Sequence, residues 1–138
     1  MDNSNPFPRD ALAPDAQVIS LRCHSITQFD PQVLAQAFAT RPKAEVEEML
    51  CRILESIAQW LDQVEEGLTT LCFKQIDKPA RRIALLAGQI GLTELAVAAG
   101  HVGRCAVLGD AFALAATIGR LERAFDQAVT EVWDFRHR

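Results

Sequence analysis

The segment RRIALLAGQIGL, from Arg81 to Leu92, contains the signals that decide the fold of this chain. Its apolar run favours a helix, and Gly91 is a residue that tolerates the left-handed backbone common at helix ends. We therefore expect this helix to stop or bend at Gly91. A second helix is predicted to start near Thr93, because Thr and the adjacent Glu94 suit a helix N-terminus.

Helical periodicity also extends upstream of this segment. A long helix is predicted from Pro42 or Lys43 up to a break in IDKPA, Ile76 to Ala80, where Asp77 would cap the next helix and Pro79 would lie in its first turn. Apolar residues of the long helix recur at steps of three and four, which places them on one inward face. They are Val46, Leu50, Ile53, Ile57, Trp60 or Leu61, Val64, Leu68 and Leu71.

A final helix is predicted after Gly109 and Asp110, which would end the preceding helix and cap the next one. Short connections between long helices favour antiparallel packing of neighbours, and no run of alternating residues supports a sheet. The predicted fold is all-α, an antiparallel up-down-up-down four-helix bundle. The inward face of its last helix comprises Leu114, Ile118, Leu121, Phe125, Ala128 or Val129, and Val132.

The N-terminal part of the chain differs in composition. Residues 1–17, rich in Pro, Asp, Asn and Ala, indicate a flexible lead. The segment VISLRC, residues 18–23, is interpreted as an ordered arm. Asp30 and Pro31 then signal a short helix, PQVLAQAFA, that ends near residues 41–42 and would cap the bundle. Residues 18–138 are expected to form a single domain.

The composition excludes several classes of function. A net charge of −4, with 14 Lys and Arg and no basic stripe, argues against nucleic acid as a partner. No apolar stretch reaches the ~20 residues of a membrane span, and the acidic, Pro-rich start is unlike a secretory signal. The four scattered cysteines are interpreted as buried free thiols. A cytoplasmic chain that contacts neither membrane nor nucleic acid is expected.

Catalytic signals are scarce. The three histidines, His24, His101 and His137, form no known catalytic or metal motif, and no nucleophile–base pair is evident. His101 and Cys105 stand four residues apart and could share a helix face, but no second ligand pair accompanies them. We therefore predict that the chain is not an enzyme and has no metal or cofactor.

The order of features from Ile76 to Val132 resembles the histidine-containing phosphotransfer (HPt) domain of bacterial phosphorelays. IGLTELA, residues 90–96, is similar to a helix junction of that family, and LGDAFALAATIGRLERAF, residues 108–125, to its last turn and helix. The resemblance implies a small helix capping a four-helix bundle, so residues 18–138 would be one HPt-like domain. It also implies a receiver domain of a response regulator, or a histidine kinase, as the partner.

The chain departs from the family at its reactive helix, which normally carries His-x-Leu-Lys-Gly. Aligned on Gly91, Arg81 stands at the histidine position, Ala84 at the lysine and Leu85 at the glycine. An alignment on LAG, residues 86–88, would instead place Ala84 at the histidine. Because neither Arg nor Ala offers an imidazole nitrogen to an aspartyl phosphate, we predict a docking or regulatory protein that cannot be phosphorylated at this site.

The residues predicted to bind the partner follow from helical geometry. If Pro79, Ile83, Leu86 and Ile90 point inward, then Arg81, Leu85 and Gly88 share the opposite face, with Ala84 beside them. Exposed there, they would form an apolar patch with a cationic edge. The alternative is that neighbouring helices bury this helix on two sides.

Two other functions are compatible with the sequence. In the first, phosphotransfer is active and His101 on the following helix accepts the phosphoryl group. In the second, the chain is a self-associating α-helical adaptor without a link to phosphorelays. The Ala and Gly residues between Thr93 and Leu108 would then pack tightly across a homodimer.

Overall fold

The structure of the chain is a computed structural model that describes Gln36 and residues 39–137. The predictions for the flexible lead at residues 1–17, the arm at residues 18–23 and the helix start at Asp30 and Pro31 lie outside the described residues. So does the rest of the predicted capping helix, apart from Gln36, which is helical, and Ala39, which lies in a turn.

Four long helices make up the described part of the chain, which contains no strand. The all-α prediction is therefore confirmed for these residues. The helix after the first break begins earlier than the sequence indicates, whereas the other three begin where they were predicted. The helices are α1, Lys43–Thr69; α2, Lys74–Gln89; α3, Thr93–Leu108; and α4, Ala111–Arg136.

All four helices contribute to one hydrophobic core. Each helix packs against the next one in the chain, and α1 also contacts α4. Because every helix meets two others, its apolar residues are removed from water on a broad face, which is the main favourable contribution to folding. The largest fully buried side chains are Leu50, Ile57, Ile76, Ile83, Leu92, Leu95, Leu114 and Leu121.

The junction between α1 and α2 lies before IDKPA, so the prediction of a break at Ile76 to Ala80 was wrong. The chain leaves α1 through Leu71, whose φ of 57° is left-handed, and Cys72 N donates to Gly67 O at 2.9 Å. This backbone hydrogen bond closes a helix end that normally uses glycine at the left-handed position. Because leucine rather than glycine occupies this position, the sequence does not indicate that α1 ends here. Leu71, predicted to face inward, is 70% exposed.

The misplaced break also changes the role of two residues. Asp77 does not cap α2 but lies inside it, and its carboxylate accepts a hydrogen bond from Arg81. Pro79 lies beyond the first turn, where it is buried. Proline has no N–H, so the carbonyl of Gln75 lacks its usual helical partner.

The other two junctions confirm the prediction from glycine. Gly91 has φ 81°, and Leu92 N donates to Ala87 O at 2.9 Å, which ends α2. Gly109 has φ 76° and ends α3 in the same left-handed conformation. The carboxylate of Asp110 then accepts hydrogen bonds at 3.1 Å from two backbone N–H groups of the first turn of α4.

The inward faces are mostly those predicted, with local shifts. Leu54 and Leu61 are buried on α1, while Ile53, Trp60 and Leu68 are half-buried. On α4, Phe125 is half-buried, and of the two alternatives Ala128 and Val129 it is Ala128 that is buried while Val129 is exposed. Thr117 is buried in their helix, and its hydroxyl donates to Leu114 O at 3.0 Å.

The glycines of α3 have different surroundings. A Cβ at Gly103 would lie 3.4 Å from Oδ1 of Asp77 and 3.9 Å from the Cβ of Ala80, which are ordinary van der Waals distances. A Cβ at Gly100 would meet no atom within 4 Å. Packing within the chain therefore does not require glycine at either position.

The cysteines of the described residues are free thiols, but they are half-buried rather than buried. They are Cys51, Cys72 and Cys105. None of the four helices has the length and apolar character needed to cross a membrane.

Candidate functional site

The residues predicted to bind a partner lie together on α2. Arg81, Leu85 and Gly88 are exposed and Ala84 is half-buried; we call these four residues the docking face. Leu85 is 66% exposed, so neighbouring helices do not bury this side of α2. The opposite side of α2 packs into the core through Ile76, Pro79, Ala80, Ile83 and Ala87, whereas Leu86, predicted to point inward, is half-buried.

Arg81 is held in place by its own helix. Its Nη2 lies 2.8 Å from Oδ2 of Asp77, one helical turn earlier. The guanidinium carries five N–H donors, so a single carboxylate leaves others for a second acceptor. The Arg81 side chain is 72% exposed, which places those donors within reach of a partner. The ion pair with Asp77 therefore orients the Arg81 side chain and leaves N–H donors of its guanidinium for a second acceptor.

Gly88 makes the end of the docking face flat. A Cβ at this position would meet no atom within 4 Å, so glycine is not required there by packing. The exposed side chain of Leu85 thus lies one helical turn from Gly88, which has no side chain. A surface of this shape allows another backbone to approach closely.

A groove of about 370 Å³ between α2 and α3 borders Arg81. Val107 and Leu108, which line it, are 74% and 79% exposed. The partner-binding residues predicted from the sequence all lie on α2, and the contribution of α3 to this surface was not predicted. The groove is lined by Asp77, Arg81, Gly100, Gly103, Arg104, Val107 and Leu108.

His101 lies on α3 but faces a different groove. It is half-buried, and it lines a groove of about 450 Å³ between α3 and α4, together with Arg120 and Arg123. No residue lines both this groove and the one beside Arg81. The structure therefore does not bring His101 to the docking face.

Metal-ligating side chains do not converge in the described part of the chain. No group of three or more His, Cys, Asp and Glu residues there could hold a metal ion. His101 and Cys105 are both half-buried on α3.

A pair of carboxyl groups between α1 and α4 was not detected from the sequence. Glu65 forms a hydrogen bond with Glu122. This bond, together with partial burial and the negative charges of Glu122 and Asp62, raises the pKa of Glu65 to about 7. At neutral pH the pair therefore shares a proton for part of the time. Sequence spacing could not show this, because the two residues lie on helices that are distant in the chain.

Comparisons with protein-family models, with curated proteins and with solved structures found no match. The function proposed below therefore depends on the docking face and on the resemblance in sequence.

Proposed function

We propose that the chain is an HPt-like bundle that binds a receiver domain or a histidine kinase of a two-component system without accepting a phosphoryl group. The observation that carries this proposal is the exposed docking face on α2, with Leu85 66% exposed beside Gly88 and Arg81. In this role the protein acts in the cytoplasm and needs neither a cofactor nor catalytic residues.

The HPt-like architecture implies an antiparallel up-down-up-down course of the helices, and two observations support such a course. The connections between helices span only a few residues, which favours antiparallel neighbours. Between α1 and α4, Glu47 lies 4.0 Å from Arg136 near one end, and Glu65 bonds Glu122 farther along. Residue numbers rise along α1 while those of its partners fall along α4. This is the contact pattern of antiparallel helices.

The chemistry of the docking face suits a protein partner. Burying a leucine that is otherwise in water contributes about 1.5–3 kcal/mol, and Leu85 is available for such burial. Arg81 adds a planar donor group that binds carboxylate or phosphate oxygens. A receiver domain presents an aspartate that becomes an aspartyl phosphate, so Arg81 could contact it. Arg104 in the neighbouring groove adds a second cation.

The same face explains why phosphotransfer is not proposed there. Arg81 carries a guanidinium, which binds phosphate oxygens but does not accept a phosphoryl group as an imidazole does. Within the described part of the chain, the docking face includes no histidine. A partner would therefore be bound or sequestered without transfer through α2.

Binding of purified receiver domains and kinase fragments from the source organism tests the proposal. The change Leu85→Asp should weaken binding about 10- to 100-fold, because it places a charge in the apolar centre of the contact. Val129→Asp, at an exposed valine of α4, is the matched control and should leave affinity unchanged. Circular dichroism would verify that both variants stay helical. Failure of the panel to bind, or equal binding by the Leu85 variant, would contradict the proposal.

Two alternatives are distinguished by separate experiments. If His101 accepts a phosphoryl group, incubation with a receiver carrying labelled phosphate should give an acid-labile label that His101→Ala abolishes. If the chain is instead a self-associating adaptor, light scattering should show a stable homodimer. We expect neither the label nor a dimer that buries α3.

A further inference from the structure

We propose that the groove between α3 and α4 is a binding site for a small organic phosphate, held reversibly by Arg120, Arg123 and His101. The groove shares no lining residue with the surface beside Arg81, so this proposal is independent of receiver binding. It is also distinct from phosphotransfer, since no covalent bond forms.

Arg120 and Arg123 are available because neither forms an ion pair within the described residues, although Asp126 stands three positions after Arg123. Arg52 and Arg81, by contrast, each pair with a carboxylate one turn earlier in the same helix. Neither Arg120 nor Arg123 has a carboxylate within ion-pair distance among the residues that the structure describes. The positions four residues before and after them hold Ala116, Gly119, Ala124 and Gln127.

Convergence from two helices distinguishes this site from isolated surface arginines. His101 comes from α3 and is half-buried, whereas Arg120 and Arg123 come from α4 and are exposed at the groove. Guanidinium groups bind phosphate oxygens through paired N–H donors, and an imidazole can add another donor. Three nitrogen-bearing side chains around one concave surface suit an anion with several oxygens.

Small side chains form part of the wall of this open groove and leave space for a ligand. Ala98 is buried and Ala124 is half-buried, so neither fills the space between the helices. The volume of about 450 Å³ falls within the usual range of small-molecule sites. Val97, which is 57% exposed, gives the wall an apolar section.

The two ends of the groove differ in charge, which defines the ligand class. His101 and Arg120 lie nearer the turn between α3 and α4, while Thr93, Glu94 and Gln127 lie farther from it. The cationic end suits a phosphate, and the carboxylate of Glu94 suits a hydroxyl donor. A phosphorylated sugar or a nucleoside monophosphate combines these groups, whereas inorganic phosphate occupies only one end.

Titration of the full chain with ribose 5-phosphate and with AMP tests the site. We would follow backbone amide shifts by NMR and affinity by calorimetry, with ribose and inorganic phosphate as comparison ligands. We expect both organic phosphates to bind with a Kd below about 1 mM, inorganic phosphate to bind more weakly, and ribose not to bind. The amide shifts should concentrate at residues 93–101 and 120–127.

Paired arginine variants separate the site from general attraction of anions. Arg120→Ala with Arg123→Ala should weaken binding of ribose 5-phosphate by about tenfold or more. Arg52→Ala with Arg82→Ala removes the same charge from exposed positions of α1 and α2, and should have little effect. Equal losses in both double variants would overturn the proposal. So would the absence of binding by either organic phosphate, or equal affinity for inorganic phosphate.

Discussion

The change Glu65→Gln should stabilise the folded chain above neutral pH and have little effect in acid. The hydrogen bond to Glu122, together with partial burial and nearby charge, raises the pKa of Glu65 from 4.5 to about 7. The folded state therefore holds this proton more tightly than the unfolded state does. The stabilisation that accompanies the bound proton is complete below pH 4.5 and is lost as the pH rises through 7.

The size of the effect follows from the shift and from solvent exposure. At about 1.36 kcal/mol per pH unit, a rise from 4.5 to about 7 corresponds to at most about 3.4 kcal/mol. Water reaches part of the pair and screens its charges, so we expect a measured effect of about 1 kcal/mol. Glutamine keeps a donor for the carboxylate of Glu122 and carries no charge. The variant should therefore exceed the natural chain in stability by about that amount at pH 8.

Urea unfolding followed by circular dichroism, from pH 4.5 to pH 8.5, would measure this difference. The variant's advantage should grow between pH 5 and pH 8. Glu66→Gln removes one carboxylate from the exposed side of the same helical turn, and so controls for the change in net charge. An advantage that does not vary with pH, or a variant that is less stable at pH 8, would refute the reasoning.

Four further substitutions are expected to change stability, all measurable by urea unfolding. Leu71→Gly should stabilise the chain by about 0.5–1 kcal/mol, because glycine accepts the positive φ of 57° without strain; a loss of stability would count against the strained junction. Asp110→Ala should cost about 1 kcal/mol through loss of the cap of α4, and an unchanged midpoint would contradict that role. Gly67→Ala should destabilise the chain by about 1–2 kcal/mol, because its Cβ would lie 2.5 Å from Cγ1 of Ile76. Gly100→Ala should stabilise the chain by about 0.5–1 kcal/mol, because its Cβ would meet no atom within 4 Å and alanine favours a helix. The same sign in both variants would refute the packing argument.

Features that depend on neighbouring residues could be predicted from the sequence. Gly91 and Gly109 end helices because glycine adopts the left-handed backbone there, and Asp110 caps α4 because its carboxylate reaches the next turn. Helical periodicity also predicted that Leu85 lies opposite Ile83 on α2. Whether other helices would cover Leu85 could not be predicted, since that depends on which elements pack against it.

Local signals failed where tertiary contacts override them. The end of α1 at Leu71 uses a residue that rarely adopts positive φ, and the buried contact of Gly67 with Ile76 lies next to it. Asp77 and Pro79 resemble a helix start in sequence but lie within α2. Packing between α1 and α2 places the turn between Thr69 and Lys74, before the helix-start signal of Asp77 and Pro79.

The sequence by itself thus determined the helical character of the described residues, the glycine-ended junctions and the presence of an arginine at position 81. Those features depend on backbone preferences and on residue identity, which act over a few positions. Only the tertiary structure decided that Leu85 is exposed, that Glu65 meets Glu122, and that His101 shares a groove with Arg120. Each of these depends on residues distant in the chain, whose approach is set by the packing of whole helices around the core.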